Sequence, residues 1–260
     1  MELLIIALVS LAASCLTFLC GFGLGTILTP VFFVLFRDLE FAIAATAVVH
    51  LLNNVFKFFL MKKSIDWSLA LRFGATAVPF ALLGAFALHH FGDINLFSWS
   101  AGDLFFDVNL LNLTFGAVLI FFSLMEVIPS LGNALSAKNV LLGGALSGFF
   151  GGLSGHQGAL RSAFLLRYQL GKEVFIATGI VIALAIDFTR LPVYLIQTDL
   201  VQLGENWPAI AISLGFAFIG AFAGKFILRK IELKILNALV AVLMLVFGLM
   251  LASGIFDLWK

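Results

Sequence analysis

Several ionisable side chains lie inside stretches that are otherwise apolar enough for a lipid bilayer, among them His50, Lys57, Arg161, Asp187 and Arg190. A charged group at the centre of a membrane helix costs at least about 2.5–3.5 kcal/mol, so these residues are candidates for function. The three lysine and arginine side chains outnumber the single carboxylate, which favours a negatively charged ligand. The planar guanidinium group of arginine suits an oxyanion in particular, because it donates two parallel hydrogen bonds.

Two glycine clusters interrupt the apolar sequence, "CGFGLG" at 20–25 and "GGLSGHQG" at 151–158. The second cluster contains His156 and Gln157, which add hydrogen-bonding groups, and Arg161 follows it by one helical turn. This position predicts that Arg161 is the main anion contact, with His156 and Gln157 beside it.

The glycine clusters also predict breaks in the helices. Irregular backbone at membrane depth is tolerated only where it is buried in protein or lines a watery cavity. A helix N-terminus favours anions, so helices restarting near Thr26 and Ala159 would face each other across one anion site. Tight helix packing through small residues is the alternative. The glycines assigned to the site are Gly23, Gly25, Gly155 and Gly158.

Helical spacing groups the remaining polar candidates. His50, Asn54 and Lys57 share one helical face, with Asn54 and Lys57 assigned to the anion and His50 to proton coupling. A buried core histidine and a lysine that reaches the membrane surface are the alternatives. Asp187 and Arg190 are three residues apart; Arg190 would attract the anion, and Asp187 would hold Arg190 in place or carry a coupling proton. A structural ion pair is the alternative there.

The elements that position these residues are membrane helices. Hydrophobic residues make up 62% of the 260-residue chain and charged residues only 11%, whereas a soluble domain is about one quarter charged. A membrane span needs about 20 apolar residues. Eight apolar stretches are present, at 3–36, 40–61, 68–91, 109–129, 138–168, 172–198, 207–229 and 232–257. The first and fifth are too long for one span and too short for two, and each contains a glycine cluster.

A shift of roughly 132 residues brings the two halves of the chain into register. The glycine clusters then coincide and 41–57 lies on 174–190; after a few extra residues, "FALLGAF" at 80–86 meets "FAFIGAF" at 216–222. We therefore predict two membrane repeats, 1–130 and 131–260, within a single membrane domain. Chance similarity between apolar sequences is the alternative.

The charged connections predict how the two repeats are oriented. The connections that follow the second and seventh stretches are basic, whereas 90–108 and 199–206 carry acidic residues and no lysine or arginine. Basic loops lie on the cytoplasmic side, so the five stretches between the two basic connections must cross the membrane an even number of times. This is satisfied if the fifth stretch is re-entrant or forms two short segments. We predict an all-α polytopic membrane protein with two inverted repeats, each with a glycine-broken first element and three spanning helices.

Several function classes lack support in the sequence. There is no Walker A loop, no HExxH motif, no cysteine pair at zinc spacing and no dinucleotide-binding fingerprint. A formal net charge of +1 gives no indication of nucleic acid binding. We therefore predict no enzyme activity, no cofactor and no metal.

The segments "GTILTPVFF", "AATAVVHLLNN" and "GGALSGFFGGLSGHQGALRSAFLL" followed by "IATG" resemble the sulfite exporter TauE/SafE-like family, also called toluene-sulfonate uptake permeases. The resemblance covers nearly the whole chain. It implies a multi-pass secondary carrier of the bacterial inner membrane for sulfite, organosulfonates or similar anions. The sequence departs from the family pattern where His156 and Gln157 stand inside the glycine cluster, and where Arg161 and Ser162 stand in place of an expected proline.

Taken together, the sequence predicts a secondary transporter with a central anion site between broken helices, embedded in a lipid bilayer. Protons are a candidate coupling ion, and oligomeric state is left open. An anion channel and a membrane assembly subunit without a substrate are the alternatives.

Overall fold

The computed structural model describes residues 2–20, 24–91, 94–102, 104–128, 139–197, 200–227 and 233–255. The described chain is predominantly α-helical, which confirms the prediction of an all-α polytopic membrane protein. Its α-helices are α1 Glu2–Cys20, α2 Leu24–Phe36, α3 Leu39–Met61, α4 Trp67–His90, α5 Leu110–Val127, α6 Val140–Ser154, α7 Gln157–Leu166, α8 Lys172–Gln197, α9 Leu200–Glu205, α10 Trp207–Ile227 and α11 Leu233–Ala252.

Within the described residues, four helical segments are long and apolar enough to cross a membrane: Leu39–Ser64, Trp67–Leu88, Lys172–Ile196 and Trp207–Phe226. Two of them fall in each predicted repeat. The predicted third span of each repeat corresponds to α5 and α11, whose described apolar parts, Leu110–Met125 and Val240–Ala252, are shorter.

The fifth apolar stretch folds as a helical hairpin. Helix α6 ends at Ser154, and Gly155 adopts a left-handed conformation with φ of 78°, which glycine tolerates without steric cost. A Cβ on Gly143, near the start of α6, would contact the ring of Phe164, near the end of α7. Helix α7 therefore runs back along α6. The first stretch likewise forms two helices, α1 and α2, which pack on each other.

Helices α4 and α6 pack side by side in the same direction through small residues. A Cβ on Gly148 would collide with the carbonyl oxygen of Ala77, and one on Gly152 with that of Ala81. Such four-residue spacing of small residues lets helix backbones approach closely in a membrane. The packing alternative therefore holds for Gly152, although it lies inside the predicted functional cluster.

Helices α1 and α10 form a second parallel pair of the same kind. A Cβ on Gly220 would collide with the carbonyl oxygen of Leu11, and one on Gly224 would lie 2.6 Å from that of Cys15. In the predicted repeats, α1 corresponds to α6, α3 to α8, α4 to α10 and α5 to α11. The α1–α10 pair therefore corresponds to the α6–α4 pair, and the α5–α11 and α3–α8 pairs each join two corresponding helices.

Helix α10 also runs in the same direction as α3. The ring of Phe218 stacks on Phe56 with 4.8 Å between centroids. Seven residues later, Lys225 lies 3.5 Å from the carbonyl oxygen of Leu60. Because the contacts move toward the C-terminus on both helices, α3 and α10 are parallel.

A β-hairpin, which the sequence analysis did not predict, occupies the acidic connection between α4 and α5. Strands β1 (Asn95–Ala101) and β2 (Leu104–Asn109) pair antiparallel. Trp99 stacks on Phe106 at 4.2 Å and donates a hydrogen bond to the carbonyl oxygen of Ser253 at 2.9 Å. The hairpin is thereby attached to the end of α11.

Candidate functional site

Asp187 on α8 lies at the centre of a buried polar network and is fully shielded from solvent. One carboxylate oxygen lies 2.6 Å from Nδ1 of His50 on α3. The other accepts hydrogen bonds from Nε of Arg190 at 3.0 Å and lies 2.9 Å from its Nη2. The pair predicted from the spacing of Asp187 and Arg190 is therefore formed.

Two side-chain amides complete the coordination of Asp187. Nδ2 of Asn54 on α3 donates at 3.1 Å, and Nε2 of Gln157 on α7 donates at 3.2 Å. A buried carboxylate costs free energy unless its oxygens are paired and hydrogen-bonded. These hydrogen bonds offset the cost of burying the carboxylate, and they connect α3, α7 and α8 beside the break between α6 and α7.

Arg190 is enclosed by backbone and aromatic groups as well as by Asp187. Its Nη1 donates to the carbonyl oxygen of Gly151 at 3.4 Å, and its guanidinium carbon lies 5.5 Å from the ring centroid of Tyr194. The Tyr194 hydroxyl donates to the carbonyl oxygen of Gly152. Arg190 thus joins α8 to the end of α6. It is not among the residues that line either cavity described below, so its position favours the structural alternative over a contact with the anion.

The first cavity lies between the starts of α2 and α7. Space not filled by atoms amounts to about 350 Å³, open solvent included. The first turn of α2 contributes Gly25 and Thr26, and the first turn of α7 contributes Gln157 and Gly158. The first backbone N–H groups of a helix have no partner within the helix. The other residues that line this cavity are His50, Phe122, Gly155, His156, Ala159, Arg161 and Met244.

The two helix breaks approach each other at this cavity. A Cβ on Gly25 would lie 3.9 Å from the carbonyl oxygen of Gly155 and 3.7 Å from Cγ2 of Thr46. Both are ordinary contact distances. At Gly155 a Cβ would lie 2.6 Å from Nη1 of Arg190, and the positive φ adds strain for any residue with a side chain. The left-handed backbone therefore favours glycine at 155, whereas neither the backbone nor the available space requires glycine at 25.

His156 lines the first cavity at the helix break. It is 3% exposed and lies between two rings, with centroid distances of 5.4 Å to Phe115 and 6.5 Å to Phe122. Among the described residues, neither ring nitrogen of His156 has a hydrogen-bond partner, nor has Oε1 of Gln157. Buried polar atoms are nearly always hydrogen-bonded, so these atoms fit a role in holding a ligand.

Arg161 stands between the first cavity and a second one. It is 4% exposed, and a Cβ on Gly179 of α8 would lie 3.3 Å from its Nε. The second cavity has about 360 Å³ of space not filled by atoms, open solvent included. Arg161 and His50 line both cavities. The other residues lining the second are Thr17, Phe18, Leu24, Asn54, Lys57, Ile176, Ile180 and Ala183.

Lys57 lies in the second cavity rather than at the membrane surface. It is 5% exposed, and its Nζ is 5.7 Å from the ring centroid of Phe18. His50, Asn54 and Lys57 do share one face of α3, as the spacing predicts, and all three line this cavity. The position of Lys57 does not fit the alternative of a lysine that reaches the surface.

One comparison with known proteins identifies the chain. A family model described as "Sulfite exporter TauE/SafE" matches residues 6–251. The chain belongs to this family. TauE/SafE proteins are membrane transporters, so the chain is a multi-pass membrane transporter. The search of curated proteins and the search of solved structures each gave no significant match.

The structure brings most of the residues predicted for this TauE/SafE protein to one place. His50, Arg161, Gly25, Gly155 and Gly158 line the first cavity, together with His156 and Gln157. Asn54 and Lys57 line the second. Asp187 contacts His50, Asn54 and Gln157, which line the cavities, and Arg190 pairs with Asp187. Gly23 lies outside the described residues. Among the described residues, no group of three or more His, Cys, Asp or Glu side chains could hold a metal ion.

Thr17 and Gly179 are among the residues of the candidate site that the sequence did not predict. Thr17 looks like an ordinary small residue of an apolar helix, because nothing in its sequence context indicates that it lines a cavity. Gly179 belongs to no glycine cluster, and its importance comes from the packing of Arg161 against α8. Only the contacts between helices far apart in the chain reveal either residue.

Proposed function

We propose that the chain is a secondary transporter that moves a small sulfur-containing oxyanion, such as sulfite or an organosulfonate, across the bacterial inner membrane. One observation carries the proposal. The first turns of α2 and α7 and the buried side chain of Arg161 line the same cavity.

The chemistry of the first cavity suits an oxyanion. Each helix start offers backbone N–H groups and carries about half a positive charge. Arg161 adds a full positive charge in a water-poor environment, where electrostatic attraction is stronger than in bulk water. The carboxylate of Asp187 does not repel the ligand directly, because Arg190 and His50 contact it and it lines neither cavity.

The helix directions support two inverted repeats, 1–130 and 131–260, as the basis of alternating access. Helices α1, α3 and α10 run in one direction, as their contacts show. Helix α4 must return against α3, because consecutive spans alternate, and α6 runs parallel to α4. The corresponding helices α1 and α6 therefore point in opposite directions, as do α4 and α10. Inverted repeats around a midplane site are common among secondary transporters.

His50 and Asp187 are the proposed coupling groups for protons. His50 lines both cavities, and its Nδ1 is 2.6 Å from the Asp187 carboxylate. A proton taken up by this pair would alter its charge next to Arg161, without any contact between Asp187 and the anion. The proposal predicts that transport by a His50→Gln variant varies less with pH than transport by the wild type.

Transport assays in proteoliposomes with sulfite, sulfate, thiosulfate and organosulfonates test the central site. Arg161→Ala should lower uptake of the preferred anion at least about tenfold, because a hydrogen-bonded charge contact is worth roughly 1.5–3 kcal/mol. Arg167→Ala is the matched control, since Arg167 directly follows the last residue of the same helix and is exposed. Unchanged transport in Arg161→Ala contradicts the central site. Single-channel currents would instead show an anion channel, and no transport together with co-purification of a partner would show an assembly subunit.

A further inference from the structure

The second cavity lies near the end of α3 that leads into the basic 3₁₀ helix Lys62–Ser64. Lys57 precedes the last residue of α3, Met61, by one helical turn, and it lines this cavity with Asn54. The cavity lies beside the break between α1 and α2, and from His50 it extends along α3 toward the face of the protein that carries the basic turn.

Thr17 of α1 gives the second cavity a buried polar atom that the fold itself does not use. The residue is 3% exposed, and among the described residues its Oγ1 has no hydrogen-bond partner. A buried hydroxyl without a partner is costly. Its position on the wall of a cavity indicates a ligand that accepts or donates a hydrogen bond there.

The charges around the second cavity select an anion. Lys57 and Arg161, which are 5% and 4% exposed, both line it. No carboxylate is present among the described residues that line it. Asn54 and Thr17 add polar side chains, and Phe18 and Ile180 form part of the apolar wall.

We propose that the second cavity is a second binding site for the transported oxyanion, occupied between the central site and the face that carries Lys62–Ser64. This inference rests on the proposed function. Because Arg161 and His50 line both cavities, an anion passes from one site to the other while it stays in contact with the Arg161 guanidinium group. Thr17 and Lys57 bind it only in the second site.

Transport measured separately from each face tests this site. The probe is sulfite under anaerobic conditions, with the full-length protein in right-side-out and inside-out membrane vesicles. Thr17→Val removes the hydroxyl and keeps the shape of the side chain. It should raise the sulfite concentration for half-maximal transport about tenfold from the face of Lys62–Ser64. From the opposite face the change should stay below about twofold, and Thr17→Ser should restore the wild-type value.

Lys57→Met should produce the same one-sided change, whereas Lys62→Met, at an exposed lysine, should not. Thermal unfolding separates binding from folding, because Thr17→Val removes a hydroxyl without a described partner and should leave stability intact. Equal changes from both faces, no change from either, or a loss of stability in Thr17→Val each overturn the second site. If wild-type protein transports no sulfur oxyanion, the proposed function fails as well. One-sided effects in Thr17→Val together with unchanged transport in Arg161→Ala would overturn the central site and the passage along Arg161, and would leave Thr17 and Lys57 as the second site.

Discussion

Helices α2 and α7 begin at the same cavity, one from each half of the chain, yet they bring different chemistry to it. Helix α2, "LGTILTPVFFVLF", contains no ionisable residue, whereas α7, "QGALRSAFLL", carries Arg161. The first half thus contributes a helix start and the second half a helix start with a charge. Similar backbone arrangement in the two halves does not require equal side chains.

The spanning helices α3 and α8 show the same inequality in another form. On α3, the side chains of His50, Asn54 and Lys57 line the cavities. On α8, Asp187 and Arg190 line neither cavity and pair with each other. A transporter with unequal halves can bind its substrate differently from the two faces of the membrane. Substitutions in both halves test this division.

Removal of the carboxylate from the second half should have the largest effect on stability. In Asp187→Ala, Arg190 stays buried without its partner, and breaking a buried ion pair costs about 3–5 kcal/mol. Equilibrium unfolding in mixed detergent micelles measures the loss. Glu205→Gln, at an exposed acidic residue, is the control. A loss below about 1 kcal/mol would show that Asp187 does not hold the site together.

The parallel pair α4–α6 should be the next most sensitive place. Gly148→Ala puts a methyl group into the backbone carbonyl of Ala77, and overpacking of this kind costs about 1–3 kcal/mol. On the partner helix, Gly74→Ala has no atom within 4 Å of the new Cβ. It should therefore be neutral or stabilising, since alanine favours a helix over glycine. Equal effects of the two substitutions would argue against close packing of these helices.

The two helix breaks should differ in their tolerance of a side chain. Gly155→Ala combines a left-handed conformation, which costs about 1–2 kcal/mol, with a contact at 2.6 Å to Arg190. Gly25→Ala makes only ordinary contacts. We expect lower stability and weaker sulfite transport in Gly155→Ala, and near wild-type stability in Gly25→Ala. The comparison would be wrong if Gly25→Ala proved the more damaging change.

A hydrogen bond between the halves should give the smallest effect. The hydroxyl oxygens of Ser10 on α1 and Ser213 on α10 lie 2.8 Å apart, and both residues are fully buried. Hydrogen bonds between membrane helices average about 0.6 kcal/mol. The double variant Ser10→Ala and Ser213→Ala should lose about this much in the same unfolding assay, with no change in transport. A loss above about 2 kcal/mol would show that this contact contributes more to stability than a hydrogen bond between membrane helices normally does.

The membrane class, the positions of the apolar helices and the candidate charges could be predicted from the sequence because each depends on local composition. Apolar length predicts a span, and an ionisable residue inside one predicts a functional position. The ion pair of Asp187 and Arg190 also follows from spacing on a single helix. The role of Arg190 could not be predicted in this way, because whether a guanidinium group meets a cavity or a carbonyl depends on which helices surround it.

The glycines separate the features that follow from local sequence from those that depend on helix packing. The clusters alone predict helix breaks, since glycine permits left-handed turns and close approach. Nothing local distinguishes Gly155, which turns the chain against Arg190, from Gly152, which packs on Ala81, or from Gly25, where a side chain would fit. The same holds for Thr17, which lines a cavity formed by helices from both halves. Such differences are set by the neighbours of each backbone atom in space, which come from distant parts of the chain.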